Sequence, residues 1–361
     1  MSNAKIVHYS LINIDKENAD FNIIIGERSN GKSYQLKHLK AVEKYLETGK
    51  RFILLRRWKE EISPAKVEQY FKDVNIEKLT NGKYNCIITY TKRIYLGNFD
   101  SEKFKTTRGE QIGYVVALST EQSYAGASYL DVEDIIFEEF ISRDSYLANE
   151  PDKLMNFYCT VDRKRKTTKI WLAGNTISRV CPYFNDWGLY DILKNQKQGT
   201  IITTERESTE DDTVKIAIEY CADTGASSHT IGKHKNMLNR GDWQSDPQPH
   251  LPKSYKEYDK LYQIIFQYQA FKFLAEYIMD KKTKETCWFI YPYKGKINDK
   301  TLVFSDTIKV SKYWQRDIYN ISLKNEKLQN LLNTFKENNI FYASDICGTE
   351  FKSLIDFTIR K

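Results

Sequence analysis

The 361-residue chain has no apolar run approaching the ~20 residues that a membrane-spanning helix needs. Its opening, MSNAKIVHYSLINIDKEN, lacks the apolar block of a secretion signal. The six cysteines (Cys86, Cys159, Cys181, Cys221, Cys287 and Cys347) are scattered, with no C-x-x-C pair. That argues against a zinc ribbon and fits free thiols in a reducing cytosol. Five histidines form no ligand cluster; His229 and His234 lie in a Gly/Ser-rich stretch and read as loop residues. There is no internal repeat. These absences point to a cytosolic globular protein with no membrane partner. A mean hydropathy of −0.60 agrees. The hydrophobic fraction of 41% supplies core for two or three domains.

Charge is unevenly placed. The net charge is +7, and residues 251–361 hold 19 Lys and Arg against 13 Asp and Glu, with 21 Phe, Tyr and Trp. Such a region suits a nucleic-acid surface, and equally a small β-rich domain with a Lys-rich solvated face.

Residues 26–33 read GERSNGKS, a complete G-x-x-x-x-G-K-[ST] phosphate loop. The apolar run Phe21–Ile25 precedes it and a helix-like stretch follows. A strand that delivers the loop and a helix that leaves it turn the backbone N–H groups of Gly26, Glu27, Arg28, Ser29, Asn30 and Gly31 toward a phosphate. Gly26 and Gly31 are expected to adopt backbone angles that a side chain forbids. Lys32 would reach the β- and γ-phosphates and the Ser33 hydroxyl would ligate Mg²⁺, so ATP and Mg²⁺ are the expected ligands.

After an irregular arm over residues 1–20, short apolar runs alternate with longer mixed segments, the mark of βα units. The expected strands are Phe21–Ile25, Phe52–Leu55, Cys86–Tyr90, Ile94–Leu96, Tyr114–Leu118, Ile135–Phe137 and Ile170–Ala173. The expected helices are Lys32–Tyr45, Pro64–Phe71 and Lys153–Thr160. Together they predict a doubly wound α/β domain ending near Thr204. The polar stretch 205–253 reads as a linker in which VKIAIEYCADTG forms a helix. Strands return at Tyr262–Phe266, Phe271–Tyr277, Cys287–Tyr291 and Leu302–Phe304, and helices at Leu323–Glu337 and Glu350–Thr358.

Residues 134–139, DIIFEE, end an apolar strand in two carboxylates. In a parallel sheet that strand end faces the nucleotide. Glu138 is expected to hold Mg²⁺, partly through water, because its extra methylene sets the carboxylate about 1.5 Å further out than an Asp would. Glu139 would polarise the attacking water. The strand Ile170–Ala173 ends in Gly174 and Asn175. Asn175 either senses the γ-phosphate or serves a turn. Arg163 and Arg165 sit in a basic segment, as a trans-acting arginine or as a solvated loop; Arg56 and Arg57 end the second strand, to meet phosphate or to form an ion pair.

In order and spacing, GERSNGKSYQLK, ILLRRWK, DIIFEEF, TVDRKRK and LAGNTISRVCPYF resemble the DNA-packaging ATPases of phi29-type small tailed phages. The resemblance covers roughly residues 15–205; its most particular parts are the RRWK strand end and the block from Asn175 to Phe184. It implies an ASCE-type P-loop ATPase domain, with a doubly wound, mostly parallel sheet, over residues 1–204. A linker with a short helical piece would follow at 205–253, then a small vestigial RNase H-like α/β domain at 254–361. It also implies a homo-oligomeric ring, typically of five, seated on the phage portal. Such a ring drives double-stranded DNA into a procapsid, in some cases with a packaging RNA. It would work in the host cytoplasm, sit transiently on the procapsid and be absent from the mature virion. The resemblance puts Lys32 and Ser33 on nucleotide and Mg²⁺, makes Glu139 the catalytic glutamate, and makes Arg163 an arginine finger acting in trans. Glu138 replaces the family's usual aspartate, and Glu121–Tyr129 has no lysine where some relatives place one acting in trans.

A working RNase H-like nuclease needs carboxylates around two metal ions, the first on its opening strand. Here that strand, YQIIFQYQ, carries none, and Asp306 and Asp345 read as turn residues. Nuclease activity is therefore expected to be absent, and the domain is expected to hold DNA, a packaging RNA or the portal. The competing readings are a helicase, a phosphate-loop kinase of a small metabolite, and a nucleotide-dependent scaffold.

Overall fold

The structure is a computed structural model describing residues 8–124, 126–142, 145–209, 212–225, 235–268, 270–298, 301–305, 313–315, 333–335 and 339–359. It divides into two compact units. The first comprises the described residues of Met1–Ile177, Asn195–Thr230 and Lys235–Asp242. The second comprises those of Ser178–Lys194 and Trp243–Lys361.

In the first unit the isoleucine run forms β1 (Phe21–Gly26), buried along its whole length. An apolar run without alternation belongs inside a parallel sheet covered on both faces. The remaining strands are β2 (Arg51–Arg56), β3 (Cys86–Tyr90), β4 (Arg93–Asp100), β5 (Lys105–Ala117), β6 (Val132–Glu138), β7 (Lys169–Asn175), β8 (Thr200–Thr209) and β9 (Asp212–Tyr220). Their order is β3-β4-β5-β2-β6-β7-β1-β9-β8. The six central strands, β5 to β9 in that order, are parallel. Antiparallel pairs close both ends of the sheet. β7 lies between β1, which delivers the phosphate loop, and β6, which ends in Glu138. That spacing is the ASCE-type P-loop arrangement expected above.

The described helices of this unit include α1 (Ile12–Lys16), α2 (Lys32–Gln35), α3 (Lys44–Thr48), α4 (Pro64–Phe71), α5 (Ile76–Leu79) and α6 (Glu150–Asp162). A π-helical stretch, Leu36–Glu43, joins α2 to α3. Ile24, Phe52, Leu54, Ile136 and Trp171 share one buried cluster with Leu36, Val42, Val67 and Phe71 from these helices. The α7 (Pro182–Asp186) and α8 (Tyr190–Asn195) segments follow β7, and α9 (Lys235–Arg240) follows β9.

Three local expectations change. The arm is not irregular throughout, because Ile12–Lys16 is helical. VKIAIEYCADTG is not a helix: Val214–Tyr220 lies in β9, with Ile216 opposite Phe21 and Ile218 opposite Ile23. Its apolar residues Val214, Ile216, Ile218 and Tyr220 recur every second position, which is strand periodicity. The sheet thus runs on past Thr204. Third, β5 begins at Lys105, nine residues before its expected start at Tyr114. Its first six residues are exposed and polar, so no apolar pattern marked them.

The second unit contains β10 (Tyr258–Tyr268), β11 (Phe271–Asp280), β12 (Thr286–Pro292), β13 (Leu302–Ser305), β14 (Trp314–Gln315), β15 (Ile340–Tyr342) and α10 (Asp345–Ile359). The described strands run β14-β13-β10-β11-β12-β15. β10, β11 and β12 form an antiparallel meander, β13 lies parallel to β10, and β14 lies parallel to β13. β15 lies parallel to β12. Phe266, Phe273, Trp288 and Phe304 pack with Phe351 and Leu354 of α10 and with Tyr190 of α8. Asp306, His229, His234 and most of Leu323–Glu337 lie outside the described residues.

Asp345 opens α10, where its Oδ1 accepts the Gln248 N–H at 2.9 Å and faces His250 Nε2 at 2.9 Å. His250 Nδ1 faces the Tyr342 carbonyl, also at 2.9 Å. Two acceptors around one imidazole favour the doubly protonated ring, and these bonds, the Tyr342 carbonyl first, raise its pKa above the usual value. The contribution to stability is therefore complete below the unfolded value, about pH 6.5, and fades as pH rises through the folded pKa. His250→Gln is expected to flatten that slope in melting temperatures recorded between pH 5 and 8; parallel curves for the two proteins would refute the assignment.

Candidate nucleotide site

The phosphate loop leaves β1 at the C-terminal edge of the sheet and enters α2 at Lys32. Gly31 has φ +104°, an angle that favours glycine. Gly26 corrects the sequence reading, since its φ lies outside the left-handed region. What requires glycine there is packing: an added Cβ would stand 2.8 Å from Cys221 Cβ. Cys221 follows β9, and its N–H donates to the Ile25 carbonyl at 2.8 Å. Burial pushes the Cys221 thiol up to about 12, so it stays protonated.

Asn30 is buried and braces the loop twice. Its Oδ1 accepts the Lys32 N–H at 3.1 Å and its carbonyl accepts the Tyr9 N–H at 2.9 Å. Glu27 is turned inward, where the Thr224 hydroxyl donates to its Oε1. The Lys32 ammonium donates to the Glu27 carbonyl at 2.6 Å and to Asn175 Oδ1 at 2.8 Å. Burial lowers its pKa, so an anion at that position would be welcomed.

A cavity of about 660 Å³ opens over this loop. Its walls include Arg28, Ser29, Asn30, Gly31, Lys32 and Ser33, then Glu138 and Glu139 from the end of β6 and Asn175 from the end of β7. Glu138 is buried; its Oε1 accepts the Tyr70 hydroxyl at 2.6 Å. Burial raises its pKa, against the opposing effect of hydrogen bonds from Tyr70 and Ser33. Glu139 follows with φ +56° and its carboxylate mostly exposed, 3.5 Å from Arg56 Nη2.

Sequence reasoning thus finds most of the wall. It misses Tyr70, 68 positions from Glu138, and it misses His8 and Tyr9, which line the cavity from the arm. No local pattern marks any of them. Gly26 and Glu27 lie outside the cavity wall, as does Arg163. Helix α6 carries Arg163 away toward the start of β7, where its Nη2 donates to the Ala127 carbonyl at 2.8 Å. Arg165 is structural, bonded to the carbonyls of Leu130, Val132, Val161 and Asp162. Arg57 faces Glu150 rather than the cavity.

Fold and loop geometry together define a phosphate-loop protein of the ASCE fold type. The chain belongs to the Podovirus DNA encapsidation protein (Gp16) family, whose model matches residues 4–198. The DNA packaging protein of Bacillus phage phi29 is 32% identical over 166 residues, 45% of each chain. That of Bacillus phage B103 is 33% identical over 176 residues, 46% of this chain and 48% of the other. The chain therefore spans about half the length of the curated relatives it matches. In fold it is similar to the bacteriophage Phi-29 viral genome packaging motor assembly, with a TM-score of 0.57, 20% identity, and coverage of 97% and 99% of the two chains. The Phi-28 gp11 DNA packaging motor gives a TM-score of 0.51 at 15% identity, covering 96% and 97%.

Proposed function

We propose that this protein is an ATPase that drives double-stranded viral DNA into a preformed procapsid. It would act as one subunit of a ring, five in number, seated on the portal in the host cytoplasm and absent from the mature virion. One observation carries the reading: a phosphate loop, a buried carboxylate, an exposed carboxylate and a strand-tip amide converge on one cavity. The family and the packaging motors of similar fold supply the DNA.

The residues present fit ATP and Mg²⁺. Lys32 rests on two neutral oxygens that a phosphate would outcompete. The Ser33 hydroxyl and Glu138 carboxylate are hard oxygen donors of the kind Mg²⁺ accepts alongside substrate phosphates. When bound, Mg²⁺ would neutralise charge on the phosphate oxygens. Glu139, on the open side of the cavity, would orient water and accept its proton. Asn175, already bonded to Lys32, would report the state of the terminal phosphate. Arg163 would complete the site of a neighbouring subunit. The second unit would grip DNA, a packaging RNA or the portal through its basic surface without cutting nucleic acid.

The test is ATP turnover with and without double-stranded DNA. Stimulation by DNA that weakens as salt rises is expected; turnover indifferent to DNA would end the motor reading. Mixing Arg163→Ala protein into wild type is expected to lower activity below simple dilution. Strict proportionality would remove the trans role of Arg163.

A further inference from the structure

The Glu139 carboxylate is 64% exposed, so its starting position is set by its backbone more than by packing of the side chain. That backbone is in the left-handed region, at φ +56°, without glycine's freedom. Something must hold it there, and the structure shows what does. Arg57, 5% exposed, donates from Nη1 to the Glu139 carbonyl at 3.1 Å and from Nη2 to the Phe140 carbonyl at 2.7 Å. The same guanidinium grips Glu150, with Nε to Oε2 at 2.8 Å and Nη2 to Oε1 at 2.9 Å. Glu150 is itself buried at the first turn of α6, and its Oε2 also accepts the Leu147 N–H at 2.7 Å. Phe137 and Tyr146 present their rings to the guanidinium, at 5.6 and 5.1 Å from its carbon.

We infer that Arg57 and Glu150 are positioning residues for Glu139. The planar fork ties two successive carbonyls of the turn after β6 to the start of α6, and so fixes where the Glu139 carboxylate begins its reach. Arg56 lies against the Glu139 carboxylate itself, whereas Arg57 donates to the Glu139 backbone carbonyl. A misplacement of about 1 Å in a group that prepares water is enough to cost about a hundredfold in rate. A simple ion pair stapling α6 to the sheet is the alternative, and it makes a different prediction. The inference rests on the ATPase reading.

Two variants separate them. Arg57→Met with Glu150→Leu replaces the buried pair by apolar groups of similar volume, a change that buried pairs commonly tolerate. Arg57→Lys keeps the charge opposite Glu150 but loses the fork that serves both carbonyls. Both proteins are expected to fold and to bind a fluorescent ATP analogue within about threefold of wild type. The kcat for ATP is expected to fall by about a hundredfold in the double variant and at least about tenfold in Arg57→Lys. Unchanged kcat in either folded variant would overturn the inference. So would failure of both to fold, since the pair would then serve the fold and not the turn. Wild-type turnover that Glu139→Gln abolishes but the double variant keeps would sink this inference alone. No turnover in wild type would sink the proposed function.

Discussion

Replacing Glu139 with glutamine is expected to leave nucleotide affinity unchanged and to lower kcat by about 10²–10⁴-fold. Glutamine has nearly the same shape, so the turn after β6 and its bonds to Arg57 survive. What disappears is a basic oxygen able to take a proton from water. The affinity should survive because the proposed phosphate contacts would lie elsewhere, in the loop and Lys32, and the Glu139 carboxylate faces Arg56 across 3.5 Å. Steady-state turnover paired with equilibrium binding of a fluorescent ATP analogue tests both halves. A kcat within tenfold of wild type would show that Glu139 is not the base. Joint loss of binding and turnover would make it a binding residue.

The second large effect concerns stability. Phe266 is fully buried on β10, with ring centroids 5.3 Å from Phe304, 5.4 Å from Phe335 and 5.0 Å from Phe351. It joins the sheet to α10. Phe266→Ala removes the hub of this aromatic stack and leaves a void that rigid neighbouring rings cannot fill. The expected cost is about 3–5 kcal/mol. Trp288, 5.2 Å from Phe335, is a reporter inside the same core. At a urea dependence of about 1–3 kcal/mol per molar, the Trp288 transition should shift down by about 1–5 M. A shift below about 0.5 M would mean that the surrounding rings collapse into the space.

The parts of the site written locally were legible in the sequence. GERSNGKS declares a phosphate loop because the whole motif falls within eight residues. DIIFEE declares a buried strand end in the same way. The parts built by distant contacts were not. Nothing near Arg57 announces Glu150, 93 positions on, and nothing in PAKVEQYF announces that Tyr70 will meet Glu138. The reason for Gly26 was misjudged for the same cause, because its neighbour Cys221 arrives from β9. β9 itself failed by a rule of period: VKIAIEY alternates, and alternation should have outweighed a length suited to a helix. The exposed start of β5 had no apolar signal to offer. Its register is set by pairing with β4, which single-strand patterning does not encode.

The path of the backbone bears on how this molecule is ever taken apart. Among the described residues the polypeptide passes from one unit to the other after Ile177, Lys194 and Asp242. A fragment cut anywhere in 205–253 would leave Ser178–Lys194 behind, and with it Tyr190, whose ring sits 4.0 Å from Phe271. The released C-terminal piece would carry a scar of bare aromatic surface and tend to aggregate. Isolating that half intact calls for a splice, Ser178–Lys194 grafted ahead of Trp243, and no single truncation can substitute for it.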